Sequence, residues 1–134
     1  MRIYVAHPIR GKTGSSKEIE DNLKRAGLLA DRLDTLTMFV PYPVGFYVPG
    51  THDTFPQKAL ELGLLNIDAI LDIDQAILKD CDAVMEFSWV ESSGVKGEVA
   101  EAKRLNKPTE QLKEHANISD IIVVLNKIRK ELYG

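Results

Sequence analysis

The chain has 134 residues, 44% of them hydrophobic and 28% charged, with a formal net charge of −3. This balance fits a single soluble domain over residues 1–134, excludes a disordered chain, and argues against a nucleic-acid polymer as partner, since no basic stripe is present. The longest unbroken apolar run, Ile121 to Leu125, is too short to cross a bilayer, the first residues lack the apolar core of a signal peptide, and the single Cys81 fits a reducing cytoplasm.

Arg2 to Ala6 is short and rich in β-branched and aromatic residues, and reads as a buried strand. The stretch "HPIRGKTGSS" follows as a turn-rich loop. Ile19, Leu23, Ala26, Leu29, Ala30 and Leu33 then recur at helical spacing, with Ser15 or Ser16 available as N-cap. "TMFVPYP" reads as a second strand stopped by Pro41 and Pro43. Residues 44–55 read as a mobile loop whose Phe46, Tyr47 and Phe55, with Tyr42, can form a lid over an aromatic ligand or a partner surface. Leu60 to Leu78 is helical in pattern, broken near Gly63 to Asn66. "DAVMEF" is a third strand, "SWVESSGVKG" a loop, and Glu98 to Asn106 a helix. Ile118, Ile121, Ile122, Leu125, Ile128 and Leu132 mark a last helix, although "IIVVL" alone also fits a strand.

Strands alternating with helices point to parallel βαβ units with right-handed crossovers. The expected fold class is α/β: a three-layer, doubly wound, Rossmann- or flavodoxin-like parallel sheet of four to five strands. Ligands in such sheets sit beyond the carboxyl ends of the strands at the switch point. The loops after the first and third strands, His7 to Ser16 and Ser88 to Gly97, are therefore expected to line one cleft.

Several residues near that cleft can carry chemistry. Glu98 stands at the expected start of a helix, where the N-terminal field keeps a carboxylate ionised; such a group serves as nucleophile or oxocarbenium stabiliser, but acidic residues also sit there merely to stabilise helices. Asp74 shares a flank with Ile70 and Leu78, beside an apolar stripe of Leu71, Ile77 and Leu78. A carboxyl beside apolar residues has a raised pKa and can act as a general acid, although Asp68, Asp72, Asp80 and Asp82 show how readily it is a solvated bystander. "IRGKTGSS" and "ESSG" offer backbone N–H groups, Arg10, Lys12, Ser92 and Ser93 to an anion, or are two ordinary βα loops. Neither is a Walker loop or GxGxxG. Tyr4 lies in the first strand as a core tyrosine or a site residue, and Trp89 can stack on a base or cover the sheet end. His7, His52 and His115 are scattered, so no metal site is expected, and the chemistry needs no cofactor.

Taken together, "IYVAHPIRG", "DQAILKDCDAV" and "SSGVKGEVAEAKRLNKP" resemble nucleoside 2-deoxyribosyltransferases, and still more the related 2'-deoxynucleoside 5'-phosphate N-hydrolases. The matching spacings are Asp74 eight before Asp82, Gly94 four before Glu98, Ala100 at a small position, and "NKP" closing the block. The resemblance covers residues 1–10 and 67–108. It implies Glu98 as the nucleophile at C1', Asp74 as the acid near the leaving base, and Tyr4 as the residue orienting Glu98. The expected substrate- and phosphate-binding set is Ile9, Arg10 and Gly11 of "PIRG", Ser92, Ser93 and Gly94, with Trp89 for a base, and His7, which can sit in the cleft because "AHP" departs from the family's commoner small-residue loop. "PIRG", and a serine rather than an aspartate six residues before Glu98, favour a 5'-phosphate, which an aspartate would repel.

The family's hydrophobic last strand is replaced here by the polar, helix-prone "TEQLKEH", so a fifth strand is expected to be missing or displaced. A polar residue of a second subunit often completes the family's site from this region, and Asn117 or Ser119 are the candidates. The leading expectation is hydrolysis of the N-glycosidic bond of a (deoxy)nucleoside 5'-monophosphate by a cytoplasmic homodimer or higher homo-oligomer. The alternatives are base exchange by a deoxyribosyltransferase, a non-catalytic nucleotide-sensing module suggested by the polar C-terminal stretch, and a TIR-like NAD glycohydrolase.

Overall fold

The computed structural model describes residues 1–51 and 55–134, with the side chains of 55–57 left aside. His52 and the Phe55 side chain, named above, lie outside the described residues. The elements run β1 (Arg2–Ala6), α1 (Ser16–Leu36), a 3-10 turn (Thr37–Phe39), β2 (Gly45–Tyr47), α2 (Phe55–Glu61), α3 (Ile67–Asp80), β3 (Ala83–Phe87), α4 (Ser93–Arg104), β4 (Thr109–Leu112) and α5 (Ile118–Tyr133). The four strands form one sheet in the order β2-β1-β3-β4, all parallel. The fold is thus α/β and three-layered, of the Rossmann or flavodoxin-like kind.

The period-two alternation of the strands sorts their side chains between two layers. Ile3 and Val5 of β1, with Ala83, Met85 and Phe87 of β3, face α1 and α5. Those helices answer with Ala26, Leu29, Ala30 and Leu33, and with Ile121, Leu125 and Ile128. Tyr4, Ala6 and Val84 face the other way, against Leu78 of α3 and Val95 and Ala102 of α4. Because β2 lies to one side of β1 and β3 to the other, the loops leaving β1 and β3 diverge and open a crevice.

Local signals fix most element ends. Ser15 caps α1 by accepting from the Glu18 N–H, and Asn66 caps α3 by accepting from the Ala69 N–H. α4 ends with Asn106 at φ 57°, and the Lys107 N–H donates back to the Ala102 carbonyl at 2.9 Å. This left-handed C-cap, which asparagine tolerates, turns the chain into β4. The Lys107 ammonium donates to the Lys79 and Cys81 carbonyls, placing a cation on the C-terminal end of α3.

Four expectations are corrected. "TMFVPYP" is not a strand: residues 37–39 form a 3-10 turn, Met38 and Phe39 are exposed, and β2 lies after the prolines at Gly45–Tyr47. The stretch 44–55 is therefore not wholly a loop. "TEQL" is a strand, β4, paired with β3 from Val84–Thr109 to Phe87–Leu112, so the sheet's last strand is present although polar. As an edge strand it borders water on one side and needs no hydrophobic run. Finally, α4 begins at Ser93 rather than Glu98, with Ser92 as its N-cap. Among the described residues, no helix is long and apolar enough to cross a membrane.

Candidate active site

A cavity of about 250 Å³ opens at the carboxyl end of the sheet. The loop after β1 contributes His7, Ile9, Arg10 and Gly11, the start of α4 contributes Ser92, Ser93, Gly94, Gly97 and Glu98, and α3 contributes Asp74. Of the residues that the sequence offers for catalysis or anion binding, Tyr4, Lys12 and Trp89 are absent from this lining.

Asp74 reaches the cavity because α3 buries Ile70, Asp74 and Leu78, which lie one turn apart on a single face. Leu71, expected to lie in the buried stripe, instead lines the cavity and stays 41% exposed. Asp74 is only 8% exposed. Burial pushes its carboxyl up to about 6, and the Tyr47 hydroxyl, 3.5 Å from Oδ1, opposes the rise.

Glu98 behaves differently from expectation. It is the sixth residue of α4, beyond the terminal N–H groups whose field was expected to keep it ionised. Burial pushes it up to about 8, the Asp74 charge adds to the rise, and the Tyr4 hydroxyl opposes it. The repulsion falls on Glu98 alone because Asp74 ionises first, against a neutral neighbour, and Glu98 must then ionise against a charge. The two carboxyls therefore hold one proton between them from about pH 6 to about pH 8.

Tyr4 lies beneath the pair, fully buried, with its ring centroid 5.6 Å from that of Tyr47. Its hydroxyl and Glu98 Oε2 are buried, with no hydrogen-bond partner of ordinary geometry among the described residues. They lie close enough for the phenol to lower the carboxyl pKa, but are not aligned as a bond. Burial, then the Glu98 and Asp74 charges, push the phenol far up, so it stays a neutral donor. Of these two adjacent groups only Glu98 lines the cavity, and buried polar atoms in native proteins are ordinarily paired.

His7 is not a free cleft residue. Its Nε2 lies 2.8 Å from the Pro49 carbonyl oxygen and Nδ1 3.0 Å from that of Pro8. Burial lowers its pKa while the two carbonyls oppose that shift, and the ring ties the segment after β2 to the loop after β1. Trp89 stacks on His7 at 5.9 Å and 16°, and its indole N–H donates to Asn22 Oδ1 at 3.0 Å. It covers the sheet end, one of its two expected roles. Asn22 in turn donates to the Ile9 carbonyl at 3.1 Å, linking the two cleft loops through α1.

The expected aromatic lid does not form among the described residues. Tyr42 donates to Asn126 at 2.7 Å, its ring 4.6 Å from the Arg129 guanidinium on α5. Phe46 packs on the α1–α5 side of the core and Tyr47 on the other. Lys12 is exposed and does not line the cavity. Asn117 caps α5, accepting from the Asp120 N–H at 2.8 Å.

Ile67, Ile70, Leu71 and Gln75 form a wall that was not singled out as site residues, although they surround Asp74 at helical spacing and were readable as one face. Tyr47 was missed as a partner of Asp74 because only the β1–β2 register, which sets it opposite Tyr4, brings it there. Comparison with protein-family models, with curated proteins and with solved structures returned no match to this chain.

Proposed function

We propose that the chain is an N-glycosidase that cleaves the base from a (deoxy)nucleoside 5'-monophosphate, as the resemblance to 2'-deoxynucleoside 5'-phosphate N-hydrolases implies. The observation that carries this reading is the pair Asp74 and Glu98, two carboxyls with raised pKa values on one cavity, with the Tyr4 hydroxyl beneath them. The cavity is also divided in a way that suits such a substrate. Ile67, Ile70 and Leu71 make an apolar wall for a base, and Arg10 with the start of α4 makes a polar end for a phosphate.

In the empty site the shared proton resides on Glu98, the weaker acid of the two. Positive charge developing on the sugar favours the ionised Glu98, so the substrate draws that proton over to Asp74. Asp74 then protonates the leaving base nitrogen as Glu98 attacks C1' and the C1'–N bond breaks. Water next displaces the glycosyl ester at C1' and gives a proton to Asp74. Free base and sugar 5-phosphate leave, and the pair again holds one proton. Tyr4 donates toward Glu98 and steadies its charged form.

Base exchange with a second free base uses the same residues and differs only in the acceptor. The sensing-module alternative loses its motive, since β4 occupies the polar stretch that suggested a lost strand. A homodimer belongs to the same reading: Ile67 and Leu71 line the cavity yet remain 42% and 41% exposed, and a second copy would cover them. Light scattering at micromolar concentration tests it, and a monomer removes it.

The deciding experiment is incubation of purified protein with a panel of nucleoside monophosphates, nucleosides and NAD, following free base by chromatography. Release from the monophosphates is expected. No release from any of them at high protein concentration removes the reading, cleavage of NAD alone redirects it, and a new nucleoside on adding a second base assigns a transferase.

A further inference from the structure

The loop after β1 has the shape of an anion-binding nest, but an anion from the protein itself already fills part of it. Gly11 and Gly14 have φ of +65° and +67°, and the Gly14 N–H closes the turn on the Arg10 carbonyl at 3.1 Å. Inside the turn lies the Glu18 carboxylate. Its Oε1 accepts the Lys12 N–H at 2.5 Å, and its Oε2 accepts the Thr13 N–H at 3.0 Å and the Thr13 hydroxyl. A Cβ on Gly11 would collide with Glu18 Oε1, so the glycine and the carboxylate fit as one unit.

Glu18 also stands three residues after the N-cap Ser15, the position from which a capping glutamate ordinarily reaches back to the cap's own N–H. Here it reaches past Ser15 to the loop. The Lys12 and Thr13 amides are thus turned toward α1 and away from the cavity, leaving Arg10 and Gly11 as the loop's contribution to the cleft.

We propose that Glu18 is a positioning residue for the anion end of the cleft: by filling the nest, its carboxylate fixes residues 10–14 so that Arg10 and Gly11 meet a substrate phosphate already ordered. This rests on the nucleotide reading above. A loop ordered before binding loses less freedom when the phosphate arrives, so the effect falls on affinity for phosphorylated ligands and not on bond cleavage.

The test uses Glu18→Ala and Glu18→Gln in the full chain. Ser15 remains as N-cap in both, and the glutamine keeps one acceptor oxygen should the alanine variant fail to fold. By NMR, the wild-type Lys12 and Thr13 amides are expected to exchange slowly. They are also expected to shift together as Glu18 titrates, with a midpoint below the ordinary glutamate value, because the Thr13 hydroxyl and the two amides hold that carboxyl down. In Glu18→Ala both signatures disappear. KM for a deoxynucleoside 5'-monophosphate rises about tenfold with kcat little changed, while KM for the matching nucleoside stays put. Glu18→Gln lies between.

Fast exchange at both amides in the wild type overturns the proposal, as does an equal loss for nucleotide and nucleoside. If the wild type releases no base at all, the nucleotide reading fails separately, and inorganic phosphate becomes the probe. Its titration, followed at the Gly11 and Gly94 amides, is expected to weaken about tenfold in Glu18→Ala, and unchanged affinity overturns the positioning role.

Discussion

The two faces of the sheet are built to different standards. Toward α1 and α5, every core side chain contributed by β1 and β3 is apolar: Ile3, Val5, Ala83, Met85 and Phe87. Toward α3 and α4 the core is smaller and includes Tyr4, and at its carboxyl end two buried polar atoms, Tyr4 Oη and Glu98 Oε2, lack hydrogen-bond partners among the described residues. An unpaired buried polar atom costs on the order of 1–3 kcal/mol. The first face supplies the stability that the second spends in holding two carboxyls and a phenol at a cavity. Substitutions on the two faces should therefore trade stability and activity in opposite senses.

Glu98→Gln is the sharpest way to break the contrast. On the proposed N-glycosidase reading, in which Glu98 is the nucleophile, base release is expected to fall by about a thousandfold or more. The same variant is expected to be more stable than the wild type. The Glu98 pKa in the folded chain is raised to about 8 from 4.5. Between those values the folded state holds more protons than the unfolded one, so stability falls as pH rises. The gain from Glu98→Gln is thus near zero at pH 4 and full above about pH 8. Thermal melts of both proteins across that range check it, and a gain that shrinks as pH rises would contradict the account. On the other face, Phe87→Ala should cost about 3–5 kcal/mol in urea unfolding. Among molecules that remain folded it should leave the Asp74–Glu98 titration unchanged.

Asp74→Asn should lower base release by about a hundredfold, the scale of losing a general acid. Its pH profile is more telling than its size. Wild-type kcat/KM is expected to be bell-shaped, with limbs near pH 6 and pH 8 that belong to the pair. The asparagine side chain holds no titrating proton, so in the variant the alkaline limb disappears, and the one remaining limb is the rise in rate as Glu98 ionises, which lies below pH 8 because Glu98 has lost its repulsive neighbour. A profile with both limbs in place would assign them elsewhere.

What the sequence disclosed follows the range of the forces involved. β1, the Ser15 cap and the break between α2 and α3 rest on contacts within a few residues and were legible. So was the convergence of the loops after β1 and β3, since parallel α/β topology dictates it. β2 was not: Met38 and Phe39 look like strand residues but stand in water, and "GFY" is a strand only because β1 lies beside it. Gly94 and Gly97 disguised the first turn of α4, and the error carried through to the chemistry. Glu98 was expected at a helix terminus that holds it ionised, and it lies a turn deeper, where burial holds its proton.

Tyr4→Phe is the smallest change and the most discriminating. The hydroxyl it removes has no hydrogen-bond partner among the described residues, so folding stability should rise, by about 1–3 kcal/mol. The phenol nonetheless lowers the Glu98 pKa, and without it the carboxyl holds its proton to higher pH. The alkaline limb of kcat/KM should therefore move upward, whereas in Asp74→Asn it is lost. At pH 7 the rate should fall by about tenfold, because the charged Glu98 loses its nearest donor just as the sugar calls for that charge. An alkaline limb that stays in place would separate Tyr4 from Glu98 and leave it a core residue like its neighbours Ala6 and Val84.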